Sequence, residues 1–219
     1  MKLQNPKFFD FKFKLMNKNV LLILFFVTVL VQCARSSEDS TQDAYNPQLP
    51  AITTTGANTF GCKINGVVMV PRNSIGYIPP GSNHYPIIVA GSSNNEYLYI
   101  QAADKRETKR GGVFIYLQNL SANNYFQTGE YEIYDGISPS FLNDNYNNYI
   151  YITAFKDGVV NNYKSIAGTG KIVLLKNDNA ILSGTFFCKA RNVQNPNDII
   201  DITDGRFDFG NTINSTNFP

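Results

Sequence analysis

The chain has 219 residues, 43% hydrophobic and 16% charged, a make-up that describes one globular domain and excludes disordered, fibrous and collagen-like classes. Its formal charge of +2 is front-loaded: Lys2, Lys7, Lys12, Lys14 and Lys18 oppose only Asp10 before the first apolar run, and without residues 1–32 the charge is −2. A weakly acidic domain with no basic stripe argues against nucleic acid as a partner.

The first element in chain order is that apolar run, VLLILFFVTVLV, from Val20 to Val31. Its length fits the roughly 7–15 residues of a signal-peptide core and falls short of the ~20 that span a bilayer. Residues 1–32 therefore read as a signal peptide, and Met16, which opens the compact MNKNVLLILFF, as the natural start. The run closes on LVQC. Leu30, Val31, Gln32 and Cys33 resemble the bacterial lipobox, although Gln32 stands where a small residue is usual. That resemblance implies cleavage before Cys33 and a lipid on its sulfur, diacylglycerol with fatty acids such as palmitate. The membrane is then a partner, and the protein is an outer-membrane lipoprotein on the cell-surface or periplasmic face. Residues 33–50 form its lipidated flexible tether, ending in prolines and poor in apolar side chains. Glu38 and Asp39, soon after Cys33, are similar to the surface-export signals of Bacteroidetes lipoproteins.

Residues 51–219 read as one antiparallel β domain. Asn65-Gly66 separates FGCKI from VVMVP and predicts a type I′ hairpin, because both turn residues tolerate positive φ. In that register Ile64 faces Val67 and Cys62 faces Met69. Strand patterns follow at 86–90, 96–102, 112–120, 129–134, 149–155, 170–176, 180–190, 198–203 and 205–209. Turn residues separate nearly all of them, among them Asp135-Gly136, Asp157-Gly158 and Asp204-Gly205. No window sustains helical periodicity. Many short strands with regular turns predict an all-β fold, a single antiparallel β-sandwich, with a lipocalin-like barrel as the alternative that buries the same alternate residues.

Three cysteines are awkward in an exported protein, since an oxidising compartment favours pairs. With Cys33 acylated, Cys62 and Cys188 remain. Alternation turns both inward, so they form either a disulfide, which parity favours and which closes a loop worth about 4–5 kcal/mol, or two buried thiols.

Two motifs bracket the domain: LPAITTTGANTFGCKINGVVMVP (49–71) at its start, and LSGTFFCKA (182–190) with ITDGRFDF (202–209) at its end. Together they resemble a family of Bacteroidetes, mainly flavobacterial, lipoproteins of unknown function. The resemblance implies a lipid-anchored exported β-domain and supplies no activity.

Little else carries chemistry. The one histidine, His84, would have to serve any Ser-His-Asp or Cys-His device alone, no G-x-S-x-G elbow is present, and no metal or cofactor motif stands out. Glu130 and Glu132 share a strand face, which a glycosidase could use and which more often marks the wet side of a sheet. Asp198, Asp201, Asp204 and Asp208 lack the spacing of a calcium loop. The richest stretch is 121–155. There Tyr125, Tyr131, Tyr134, Tyr146, Tyr149 and Tyr151 interleave with Asn123, Asn124, Asn143, Asn147 and Asn148. Aromatic faces beside amides suit a glycan-binding surface; the competing account is strand tyrosines packed half-buried. The site expected from this is Tyr125, Tyr131, Tyr134 and Tyr146. The sequence favours a non-enzymatic binding or envelope-associated module, with a glycan or envelope protein as partner. The alternative is a polysaccharide-directed hydrolase or a glycan-binding accessory lipoprotein.

Overall fold

The computed structural model describes residues 46–75, 85–106, 111–119, 125–137, 147–156, 158–178, 180–216 and 218, all but Asn46 within the compact unit Pro47–Pro219. Cys33, His84 and Tyr146, with residues 1–32 expected as a signal peptide and most of the expected tether at 33–50, lie outside the described residues.

The described residues form β1 Thr59–Ile64, β2 Val67–Met69, β3 Ile87–Gly91, β4 Tyr97–Ala103, β5 Gly112–Gln118, β6 Gly129–Glu132, β7 Tyr149–Lys156, β8 Val159–Ser165, β9 Lys171–Asn177, β10 Ile181–Asn192 and β11 Ile199–Gly210, then a 3-10 turn at Ile213–Ser215. Every strand pairing is antiparallel, in the order β2-β1-β11-β10-β8-β7-β5-β4-β3. The sheet forks at β10. Along one edge its residues Ala190–Asn192 pair with β8, while Leu182–Phe187 pair with β9, which in turn carries β6.

The expected all-β antiparallel class is what forms. Period-2 alternation sends Val113, Ile115 and Leu117 of β5 inward to the same cluster as Phe60 of β1, Ile152 of β7 and Phe207 and Phe209 of β11. Strands far apart in the sheet order thus share one core, so a single sheet curls into a half-barrel whose wings face each other. The Asn65-Gly66 hairpin has its expected register, Cys62 opposite Met69 and Ile64 opposite Val67, with φ of +49° and +83° at the two turn residues.

Two features differ from the sequence reading. β8 was not among the expected strands, because Asn161 and Asn162 break its apolar pattern; Asn161 accepts from Asn192 and so settles into the polar end of the core. Asp204-Gly205 is no turn. β11 runs through it with a bulge, two residues opposing Cys62 alone. Asp204 takes φ +54° there, and a Cβ on Gly205 would lie 2.5 Å from the Phe186 carbonyl oxygen, so only glycine fits.

The open side of the half-barrel is tied across twice. Past β2, Arg72 forms a bridge with Asp104 just beyond β4, and its guanidinium donates to both Asp104 carboxylate oxygens at 2.8–3.1 Å. The pair is buried, with Asp104 at 0% side-chain exposure. On β3, the Asn214 side-chain amide takes the place of a missing strand, accepting from Val89 N–H at 2.8 Å and donating to its carbonyl at 2.9 Å.

The disulfide expectation is corrected. Cys62 and Cys188 both lie in the core, yet both are free. β11 runs between β1 and β10, so the two cysteines sit two ladder spacings apart, about 9–10 Å, beyond the roughly 7 Å that a disulfide can span between Cα atoms. Alternation reports which face a residue takes and is silent on which strand is its neighbour. Burial pushes the Cys188 thiol up to about 12, and raises Cys62 as well.

Candidate functional site

The two bracketing motifs meet. Asp208 of β11 is buried beneath the ITTTGAN segment and receives Thr53 Oγ1 at 2.6 Å, Thr55 N–H at 2.9 Å, Gly56 N–H at 2.8 Å and Ala57 N–H at 3.2 Å. Positive φ at Gly56 (+77°) and Asn58 (+55°) curls the segment around the carboxylate. Asn58 then accepts from Gly210 N–H at 2.8 Å and donates to Thr212 and Thr216. Burial raises the Asp208 pKa, but the donors from Thr53, Gly56, Thr55 and Ala57 prevail and hold it below the usual value. This is a clasp that locks the chain's entry into the domain onto its last strand. With four residues donating to it, Asp208 is 1% exposed and is closed off from a ligand.

The other acids of the series are dispersed. Asp201 pairs with Lys189, Asp204 with Lys63, and Asp198 with Lys156, while also accepting from the buried Tyr163 hydroxyl at 2.9 Å.

A different arrangement occurs where the fork opens. β5 runs past the start of β7, and β6, paired only to β9, leaves an edge facing it. Asn148 spans the gap: its Oδ1 accepts from Gln118 N–H at 2.9 Å, its Nδ2 donates to the Glu132 carbonyl at 3.1 Å, and its own carbonyl accepts from Tyr134 N–H at 2.9 Å. Between these strands lies an open cleft of about 240 Å³, lined by Gln118, Glu130, Tyr131, Glu132, Tyr134, Asn147 and Asn148. That is space for a small polar ligand, below the roughly 300–1,000 Å³ of drug-sized sites.

Within the cleft Tyr134 is 42% exposed. Tyr131 is half-buried, packs near Phe126 with ring centroids 6.3 Å apart, and donates its hydroxyl to the Gln127 carbonyl at 2.7 Å; burial raises its pKa. Glu130 pairs with Lys171 at 2.5 Å. Glu132 lies opposite Lys171 in the ladder but has no ion-pair partner among the described residues. The site therefore offers one neutralised and one unneutralised carboxylate, two phenol rings and three amide side chains.

Of the expected site residues, Tyr131 and Tyr134 come together here. Tyr125 is exposed but does not line the cleft. Tyr149 and Tyr151 do not line the cleft: Tyr149 is 2% exposed and stacks on Tyr116 at 5.3 Å, in a cluster with Phe114, Tyr97 and Tyr99 on the face of β4, β5 and β7 turned from the core. For those two the packed-tyrosine account holds. Gln118 was missed; the only signal for it was its phase, in step with the outward Tyr116.

No protein-family model matches this chain, and neither the curated proteins nor the solved structures contain one that does.

Proposed function

We propose that the chain is an exported β-domain, anchored by lipid on Cys33 in the manner of the flavobacterial lipoproteins it resembles, which binds a glycan of the envelope or its surroundings without transforming it. The observation that supports this most is the cleft. Tyr131 and Tyr134 offer ring faces for a sugar, and Gln118, Asn147 and Asn148 with Glu132 supply donors and acceptors for its hydroxyls.

A glycan-array screen of the protein purified from membranes tests the reading. Binding is expected for the natural chain and lost in Tyr134→Ala with an unchanged melting temperature; silence of the natural chain on the array overturns it. Labelling with a palmitate analogue tests the anchor, the label being expected on the natural chain and absent from Cys33→Ala.

The hydrolase reading retains one supporting observation, that Glu130 and Glu132 line the same cleft. Release of reducing sugar from a polysaccharide, abolished in Glu132→Gln while binding persists, would establish it in place of the binding module.

A further inference from the structure

The two ends of the curled sheet differ in chemistry. β1 and β2, β4 and β5, β7 and β8, and β10 and β11 all connect at one end. The cleft lies at the other, where β5 finishes and β7 begins. β7 spans that separation in eight residues, about 23 Å of strand rise.

The connecting end carries an apolar rim. Among the described residues twelve large apolar side chains are exposed, and six of them, Val67, Phe155, Val159, Val160, Val193 and Ile199, sit at or beside these hairpins, five of the six between 47% and 56% exposed. Two of them, Val67 and Phe155, line a small cavity of about 90 Å³ that brings Ile64 and Val67 from the first hairpin to Phe155 and Lys156 from the third. Among the described residues at this rim, Asp198 is neutralised by Lys156. Lys105 and Arg106, just beyond β4, place basic groups at the same end.

The course of the chain before β1 points the same way. Gly56 packs on Gly210, Thr53 and Thr55 bind Asp208, and Pro50 lies against Gly61 and accepts from Arg206 at 3.2 Å. Followed backwards, the segment descends β11 from Gly210 toward its start, which is toward the rim. Cys33 precedes Asn46, the first described residue, by 13 positions of the polar tether.

We propose that this apolar hairpin end rests on the bilayer that holds Cys33, so that the cleft of Glu132 and Tyr134 is presented away from the membrane. The proposal rests on the anchor reading. A tether alone would leave the domain free to tumble. Apolar tips that enter the boundary between headgroups and acyl chains, roughly 5–10 Å deep, give it one orientation, and the basic pair suits anionic headgroups.

The chain contains no tryptophan, so a single introduced indole reports its own surroundings. Val160→Trp and Tyr134→Trp place it at opposite ends of the sheet. Each protein, purified from membranes, is reconstituted into phosphatidylethanolamine–phosphatidylglycerol vesicles containing brominated lipid. The expected result is a blue-shifted, quenched emission from residue 160 and an unshifted, unquenched one from residue 134. Equal quenching at both, quenching only at 134, or none at 160 overturns the orientation, the last also being what a protein partner at the rim would give. Recovery of the protein without lipid refutes the anchor separately. Cys33 is then coupled to a maleimide lipid, the buried Cys62 and Cys188 being protected, and the same pair of variants decides the rim.

Discussion

Asp208 and Glu132 are both carboxylates on strands of the same sheet, and they are used in opposite ways. Asp208 is 1% exposed and receives donors from four residues of the preceding segment; Glu132 is exposed and pairs with no cation among the described residues. A polar group buried and fully satisfied specifies a fold and cannot also take a ligand. One held at the mouth of a cleft contributes little to folding and remains open to binding. The contrast separates what the two sequence motifs do, which is close the domain, from where activity can reside.

That contrast breaks first at the buried charges. Removing one partner of a buried pair leaves the other uncompensated, at a cost of about 3–5 kcal/mol. Arg72→Ala takes the guanidinium from Asp104 and leaves it the Arg106 N–H, so urea denaturation is expected to show a loss toward the lower end of that range. A loss below about 1 kcal/mol, the scale of an exposed pair, would mean that the bridge does not tie the sheet.

Asp208→Ala comes next, leaving the part-buried N–H groups of Gly56 and Ala57 without their acceptor, at about 1 kcal/mol or somewhat more. The pH dependence has a definite sign. Because the folded pKa of Asp208 lies below its ordinary 3.8, its contribution is complete above that value and is lost as pH falls through the lower folded pKa. Acid titration of stability should therefore be shallower below pH 4 in Asp208→Asn than in the natural chain.

The cysteines give a smaller effect. With both thiols free, Cys188→Ala should cost about 1 kcal/mol, the ordinary scale of a core change, and reductant should leave stability unchanged. A drop of roughly 4–5 kcal/mol in either experiment is what a bridge closing so long a loop would produce.

The strands and the first hairpin were legible because their signals are local: alternation at 112–120 and Asn-Gly at 65–66 carry their meaning within ten residues. Ladder partners were not. Nothing near Cys62 or Cys188 tells that β11 lies between them, and nothing near ITTTGAN tells that its donors close on a carboxylate some 150 positions away. Asp204-Gly205 misled because a bulge and a turn both ask for positive φ, and only the facing strands decide which forms. The cleft was half legible. Tyr131 and Tyr134 stood out by composition, Gln118 enters only through pairing, and Tyr149 looked like its companions until the stack with Tyr116 placed it in a packed aromatic cluster.

The smallest expected effect sharpens the comparison most. Tyr134 is 42% exposed and its N–H bond to Asn148 belongs to the backbone, so Tyr134→Ala keeps that bond and should change stability by no more than about 0.5 kcal/mol. Asn148→Ala differs. It removes the amide that joins Gln118 to Glu132, so β6 loses its tie to β5, and a cost of about 1 kcal/mol is expected. If the cleft is a binding site held open by Asn148, both variants lose ligand while only one loses stability. If the tyrosine serves packing alone, Tyr134→Ala lowers the melting temperature and leaves binding as it was. Measuring both quantities on both variants separates a ligand contact from a strut.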